Sequence, residues 1–279
     1  MDIGITTFAG AYGLEPPALG SAIEERGFES LFFPEHTHIP VRSRRPDGSS
    51  PRSYAETYDP FVALSAIAAV TRTLNLGTGV CLVTQRDPIV TAKQVACLDR
   101  LSGGRFLFGV GAGWNRMELA NHGTDPRTRM ALLAERVRAM RRIWTDDEAE
   151  FHGEYVGFEP IWSWPKPYRP PGPPVLVGGN GPGAEDRVLA FGDGWFPQCG
   201  EPSDAGELSR RAAALRGRAA DAGRGPIPVT VFNAPPERRF LDAVADAGLD
   251  RCLLLLPPGT ESDLLARLDE WAPLAPGWR

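Results

Sequence analysis

Arg105-Phe106-Leu107-Phe108-Gly109-Val110-Gly111-Ala112-Gly113, with Trp114 and Asn115 directly behind it, is the stretch from which the fold of this chain can be read. Phe106, Leu107, Phe108 and Val110 form a short apolar run with no polar face, the pattern of a strand buried on both sides as in a parallel sheet. Gly109, Gly111 and Gly113 then strip the end of that strand of side chains. Alternate glycines weaken a strand, so the pattern predicts that something lies flat against this backbone, either a bound planar group or closely packed barrel strands. A GxG spacing also suits a dinucleotide-binding turn, but that turn opens a helix on a third glycine, and here Trp114-Asn115-Arg116-Met117 follows.

Outward from this strand the chain alternates. On the N-terminal side, strand patterns at 3–8, 30–34 and 74–83 are each followed by a helical pattern, at 16–26, 60–71 and 89–101. Gly27 closes the first helix, while Asp59-Pro60 and Asp87-Pro88 open the next two as N-cap and first-turn proline. On the C-terminal side, Leu132, Leu133, Val137, Met140 and Ile143 stripe one face of a helix over 129–144. Strands at 175–177, 194–197, 229–232 and Arg251–Leu256 then pair with helices at Ala184–Phe191, 204–222, 236–247 and 262–271. Eight strand-then-helix units without a hairpin in the main series predict the α/β class, a (β/α)8 TIM barrel forming a single domain over 1–279. Residues 148–174 break the rhythm with a small hairpin near 151–155 and a proline-dense excursion. They read as an insertion whose Trp162 and Trp164 are expected to pack against the body.

Composition narrows the function. The chain is 42% hydrophobic and 23% charged, with no apolar run near the ~20 residues that span a bilayer and no leader pattern at its start, so a cytoplasmic protein is expected. A net charge of −5 without a basic stripe argues against a nucleic-acid partner. Cys81, Cys97, Cys199 and Cys252 are too scattered for a disulfide framework or a CxxC metal site and read as reduced thiols.

Barrel enzymes work at the C-terminal ends of their strands. There stand Glu35, His36 and His38 after the second strand, Gly79 and Val80 after the third, Trp114 and Asn115 after the fourth, and Gly178-Gly179-Asn180-Gly181-Pro182-Gly183 after the fifth. The histidines lack a convincing third ligand, so no metal is expected. An imidazole at a strand end serves either as a hydrogen-bonded structural group or in proton transfer near neutral pH. Consecutive glycines before a helix expose backbone N–H groups to an anion, and a phosphate is the natural occupant. The aperiodic, arginine-rich loop over 38–57 has the length of a lid or binding loop, though nothing in it names a substrate.

The chain resembles the luciferase-like superfamily of flavin- and coenzyme F420-dependent oxidoreductases. The similar stretches are Phe33-Pro34-Glu35-His36-Thr37-His38-Ile39-Pro40, Leu76-Gly77-Thr78-Gly79-Val80, Ser102-Gly103-Gly104-Arg105, Gly109-Val110-Gly111-Ala112-Gly113-Trp114-Asn115 and Val177-Gly178-Gly179-Asn180-Gly181-Pro182. The EHTHIP segment is similar to the F420-associated branch. The resemblance implies a (β/α)8 barrel with a cofactor ring on Gly79, Val80, Gly111 and Asn115, and its phosphate in Gly178, Gly179, Asn180 and Gly181. It also implies His36 beside the reactive carbon, a non-proline cis peptide at Gly79–Val80, and a homodimer. Some relatives have glutamate where Trp114 stands here, so the proton is expected from His36 or Glu35. The activity implied is hydride transfer between F420 and a small organic substrate; the alternatives are an FMN-dependent monooxygenase, or a carrier that binds the cofactor without turnover.

Overall fold

The computed structural model describes residues 1–8, 13–45, 47–199 and 205–276. In chain order the elements are β1 (Asp2–Thr7), α1 (Pro16–Glu25), β2 (Ser30–Phe33), α2 (Pro60–Val70), β3 (Asn75–Thr78), β4 (Cys81–Leu82), α3 (Pro88–Leu101), β5 (Phe106–Gly111), α4 (Arg116–Asn121) and α5 (Arg129–Thr145). Then follow β6 (Ala149–His152), β7 (Gly157–Ile161), β8 (Val175–Gly178), α6 (Ala184–Phe191), β9 (Gly194–Phe196), α7 (Ala205–Asp221), β10 (Thr230–Ala234), α8 (Arg238–Asp246), β11 (Arg251–Leu256) and α9 (Glu261–Trp271).

The parallel strands run in the order β10-β11-β1-β2-β3-β5-β8-β9, and the Trp195–Val229 and Gln198–Phe232 bridges join the last to the first, so a nearly closed eight-stranded barrel results. The fold is the expected TIM barrel. β2 and β9 are buried throughout, as parallel strands covered on both faces must be. Phe32, Leu176, Phe196 and Leu253 fill the barrel interior, and a larger apolar layer lies between strands and helices. Asp59 accepts from the Phe61 and Val62 amides, and Asp87 from that of Val90, each beside a first-turn proline. Those caps start α2 and α3 where the sequence predicts.

Three local expectations change. The third strand is interrupted: β3 stops at Thr78, the Gly79–Val80 peptide is cis as the resemblance implies, and β4 resumes pairing with β5 before a 3-10 turn at Val83–Gln85. A short helix, α4, fills part of the stretch between Asn115 and residue 129, to which periodicity assigns no element. Its signal was present in Asn115 followed three residues later by Glu118, a capping-box spacing.

The third change concerns Trp162 and Trp164, which are 75% and 58% exposed instead of packed. Their segment is fastened through backbone carbonyls: Lys93 Nζ donates to that of Trp164, and Lys166 Nζ to those of Ile143 and Asp146. The indoles are therefore free to face outward. The antiparallel β6–β7 pair forms its own small sheet beside α5, and the expected start of α7 at Asp204 lies outside the described residues.

Candidate active site

A cavity of about 670 Å³ opens among the C-terminal strand ends. It is lined by His36 and Glu35 behind β2, Gly79 and Val80 behind β3, Gly111 at the end of β5, and Gly178, Gly179 and Asn180 at the end of β8. Its floor explains the stripped strand. A Cβ on Gly109 would lie 1.9 Å from the Thr78 carbonyl oxygen, and one on Gly111 would lie 2.4 Å from a Val80 methyl. The glycines of β5 thus make room for β3 and for Val80, and Val80 in turn faces the cavity. Strand packing accounts for Gly109, whereas Gly111 serves the cavity through its neighbour.

His36 is held on several sides. Its Nδ1 lies 3.1 and 2.9 Å from the two carboxylate oxygens of Glu118, which is fully buried. The Tyr54 ring stacks on the imidazole at 5.3 Å, and the Trp114 indole meets it edge-on, with Nε1 3.4 Å from Nε2. Tyr54 comes from a one-turn 3-10 helix, Arg52–Glu56, so the long loop after β2 returns to cover the histidine. Periodicity could not find Tyr54, because its position depends on a loop without any.

Two expected residues do other work. The Glu35 carboxylate does not meet His36: it is paired with the Arg86 guanidinium and accepts from the Leu82 amide at 2.6 Å. There it fastens the chain just beyond Val80 and keeps the Arg86 guanidinium above its ordinary pKa, although burial pulls the other way. Asn115 is buried and does not line the cavity. Its Oδ1 accepts from the Met117 and Glu118 amides and its Nδ2 donates to Ser43 Oγ at 2.9 Å, so it starts α4, the helix that carries Glu118.

In the glycine loop after β8, the Gly179 amide donates to the Phe196 carbonyl at 3.1 Å, so of the amides expected to face a phosphate this one is already bonded. Trp195 Nε1 donates to the Gly179 carbonyl at 3.0 Å and Arg211 Nη2 to that of Asn180 at 2.9 Å. N–H and C=O of a trans peptide point in opposite directions, so the Asn180 and Gly181 amides face away from Trp195 and Arg211. A Cβ on Gly179 or Gly181 would meet open space. Gly181 itself does not line the cavity. Positive φ belongs to Gly179, at 117°, and to Gly183, at 74°, but not to Gly181. Among the described residues, Arg129 at the start of α5 is the one lysine or arginine on the cavity wall and has no carboxylate partner; the helical pattern gives it only the place of a helix end.

Against known families, residues 15–236 match the luciferase-like monooxygenase model. The chain belongs to the luciferase-like monooxygenase family. An uncharacterised protein of Mycobacterium tuberculosis (strain ATCC 25618 / H37Rv) is 38% identical over 280 residues, 98% of each chain. An F420-dependent glucose-6-phosphate dehydrogenase of Kineococcus radiotolerans is 32% identical over 184 residues, 65% of this chain and 51% of that one. Among solved structures, monooxygenase RslO1 from Streptomyces bottropensis shares the fold at a TM-score of 0.78 and 20% identity, over 98% of both chains. Family membership makes the chain a luciferase-like oxidoreductase, and no helix among the described residues is long and apolar enough to cross a membrane.

Proposed function

We propose that this protein transfers a hydride between coenzyme F420 and a small organic substrate, with His36 moving the accompanying proton. The observation that carries the reading is the cavity itself, where a cornered imidazole shares one space with a nearly bare strand floor and an anion-ready loop. The residues present fit such a cofactor. Val80, Gly79 and Gly111 offer a surface for a flat ring, while within residues 178–181 the Asn180 and Gly181 amides offer backbone donors for its phosphate, the Gly179 amide being taken by the Phe196 carbonyl, with Arg129 as a nearby positive charge. Glu35, the carboxylate on the wall, is neutralised by Arg86 and does not oppose an anion. When bound, the cofactor would supply the carbon that gives or takes the hydride; the chain's part is to seat it, orient the substrate and move a proton at His36 Nε2.

The similarity to an F420-dependent dehydrogenase supports F420 over FMN. The family description favours a second reading, an FMN-dependent monooxygenase on the same barrel face. Dissociation constants for F420 and FMN on the purified protein separate the two. Submicromolar F420 binding, roughly −8 kcal/mol or better, with weak FMN binding is expected; tight FMN binding without F420 affinity overturns the preference. Binding without turnover on a broad panel of alcohols and ketones leaves a carrier. A cytoplasmic homodimer belongs to the same proposal, supported by the exposed Val62, Val70, Val90 and Leu101 on the adjacent helices α2 and α3.

A further inference from the structure

Glu118 is a fully buried carboxylate whose side chain meets His36 and nothing else polar among the described contacts. A buried carboxylate is stable only with a donor facing it, and both its oxygens converge on the single Nδ1 atom, which suits one N–H shared between two acceptors. On the other side of the ring, the Trp114 indole N–H points at Nε2 from 3.4 Å. An indole nitrogen can only donate, so Nε2 must be the accepting nitrogen and Nδ1 the one that carries hydrogen. Two contacts on opposite sides of the imidazole, from residues four apart in sequence, specify the same tautomer.

We propose that Glu118 is a positioning residue that locks His36 in the Nδ1–H tautomer and so keeps the Nε2 lone pair directed into the cavity. The lock is built from α4: Asn115 caps that helix through the Glu118 amide and is tied to Ser43, so the carboxylate is fixed to the same loop system that follows His36. Trp114 then acts as a stopper, holding Nε2 until the donating hydroxyl of a substrate takes the indole's place. With the Nδ1–H tautomer enforced, the proton that accompanies the hydride enters or leaves at Nε2 alone. The catalytic role of His36 rests on the functional reading above, whereas the tautomer does not.

The test uses cofactor-free protein labelled with ¹⁵N-histidine, with the His36 signals assigned by their loss in His36→Ala. At a pH where the imidazole is neutral, the parent is expected to show a protonated Nδ1 and a bare Nε2. Glu118→Leu, which leaves the Nδ1–H without an acceptor, is expected to raise the share of the Nε2–H form, and Glu118→Asp to retain the parent pattern. A parent His36 in the Nε2–H form, or an unchanged tautomer in a folded Glu118→Leu protein, overturns the proposal. The parent spectrum decides the matter even where a variant fails to fold. With a substrate in hand, Glu118→Leu should lower kcat toward the level of His36→Ala, roughly 10²–10⁴ below the parent, with KM little changed. Failure of F420 and FMN to bind would remove the functional reading and leave the tautomer result standing.

Discussion

At Gly109 a single missing methyl decides whether two barrel strands can meet. Its Cα faces the Thr78 carbonyl so closely that an added Cβ would lie 1.9 Å from that oxygen, while Thr78 Oγ1 donates to the Gly109 carbonyl at 2.7 Å. Both obstacles are backbone or backbone-bound, so neither can swing aside. Gly109→Ala should therefore destabilise the protein by about 3 kcal/mol, at the upper end of the overpacking range, read as a lower midpoint in urea unfolding. An unchanged midpoint would mean that β3 and β5 have slack. Gly181 is the opposite case, since its Cβ direction is empty and its φ is ordinary. Gly181→Val should leave the melting temperature within a degree or two of the parent, on the scale of neutral surface changes. If its amide helps to hold a phosphate, cofactor affinity should fall about tenfold or more. Equal F420 and FMN affinities in parent and variant would reduce that loop to a turn.

At the scale of elements, the barrel's N-terminal rim is held by one shared carboxylate. Glu29, just before β2, accepts from Arg251 of β11 at 2.7 and 2.6 Å and from Asn75 of β3 at 2.7 Å, so strands from both sides of β2 are tied through it. Burial pushes the Glu29 carboxyl up, but the Arg251 guanidinium and the Asn75 amide hold it below its ordinary value. The sign follows from a depressed acid: the unfolded chain takes the proton first, so the stability that Glu29 contributes is full above the ordinary glutamate range, about pH 4.3, and is lost as pH falls through its lower folded value. Glu29→Gln should cost about 1–3 kcal/mol at pH 7, and the gap from the parent should narrow toward pH 3. A gap that stays constant from pH 7 to pH 3 would show that charge plays no part.

On the scale of the whole molecule, α2 is apolar nearly all round, which is the composition of a helix covered on every side. Its inner face is buried on the barrel, yet Val62 is 69% exposed, and on the neighbouring α3 Val90 and Leu101 are exposed as well, the last at 67%. The cations of α3 on this side are turned toward the insertion, Lys93 donating to the Trp164 carbonyl and Arg100 to that of Lys166. Exposed apolar side chains on two adjacent helices suit a contact with a second copy of the chain. Leu101→Glu should convert a dimer into monomers in sedimentation equilibrium without lowering the melting temperature of the monomer. A parent that sediments as a monomer at micromolar concentration would reject the dimer outright.

Much of this was legible in the chain alone. Apolar runs such as Phe106–Phe108, proline-led caps at Asp59 and Asp87, and the regular return of strand and helix determined the barrel, because those signals are local and each is written within one element. The strand ends that gather His36, Val80 and the glycine loop followed from the topology. Which carboxylate reaches His36 did not. Glu35 is its neighbour in sequence, but adjacent residues on an extended chain point to opposite sides, and Glu35 is turned to Arg86 while His36 is turned to Glu118, 82 positions away. The stacking of Tyr54 and the outward Trp162 and Trp164 likewise depend on how loops without periodicity close in space. Such pairings are chosen by tertiary contacts, where burial and hydrogen bonding select one partner among many that sequence spacing leaves equal.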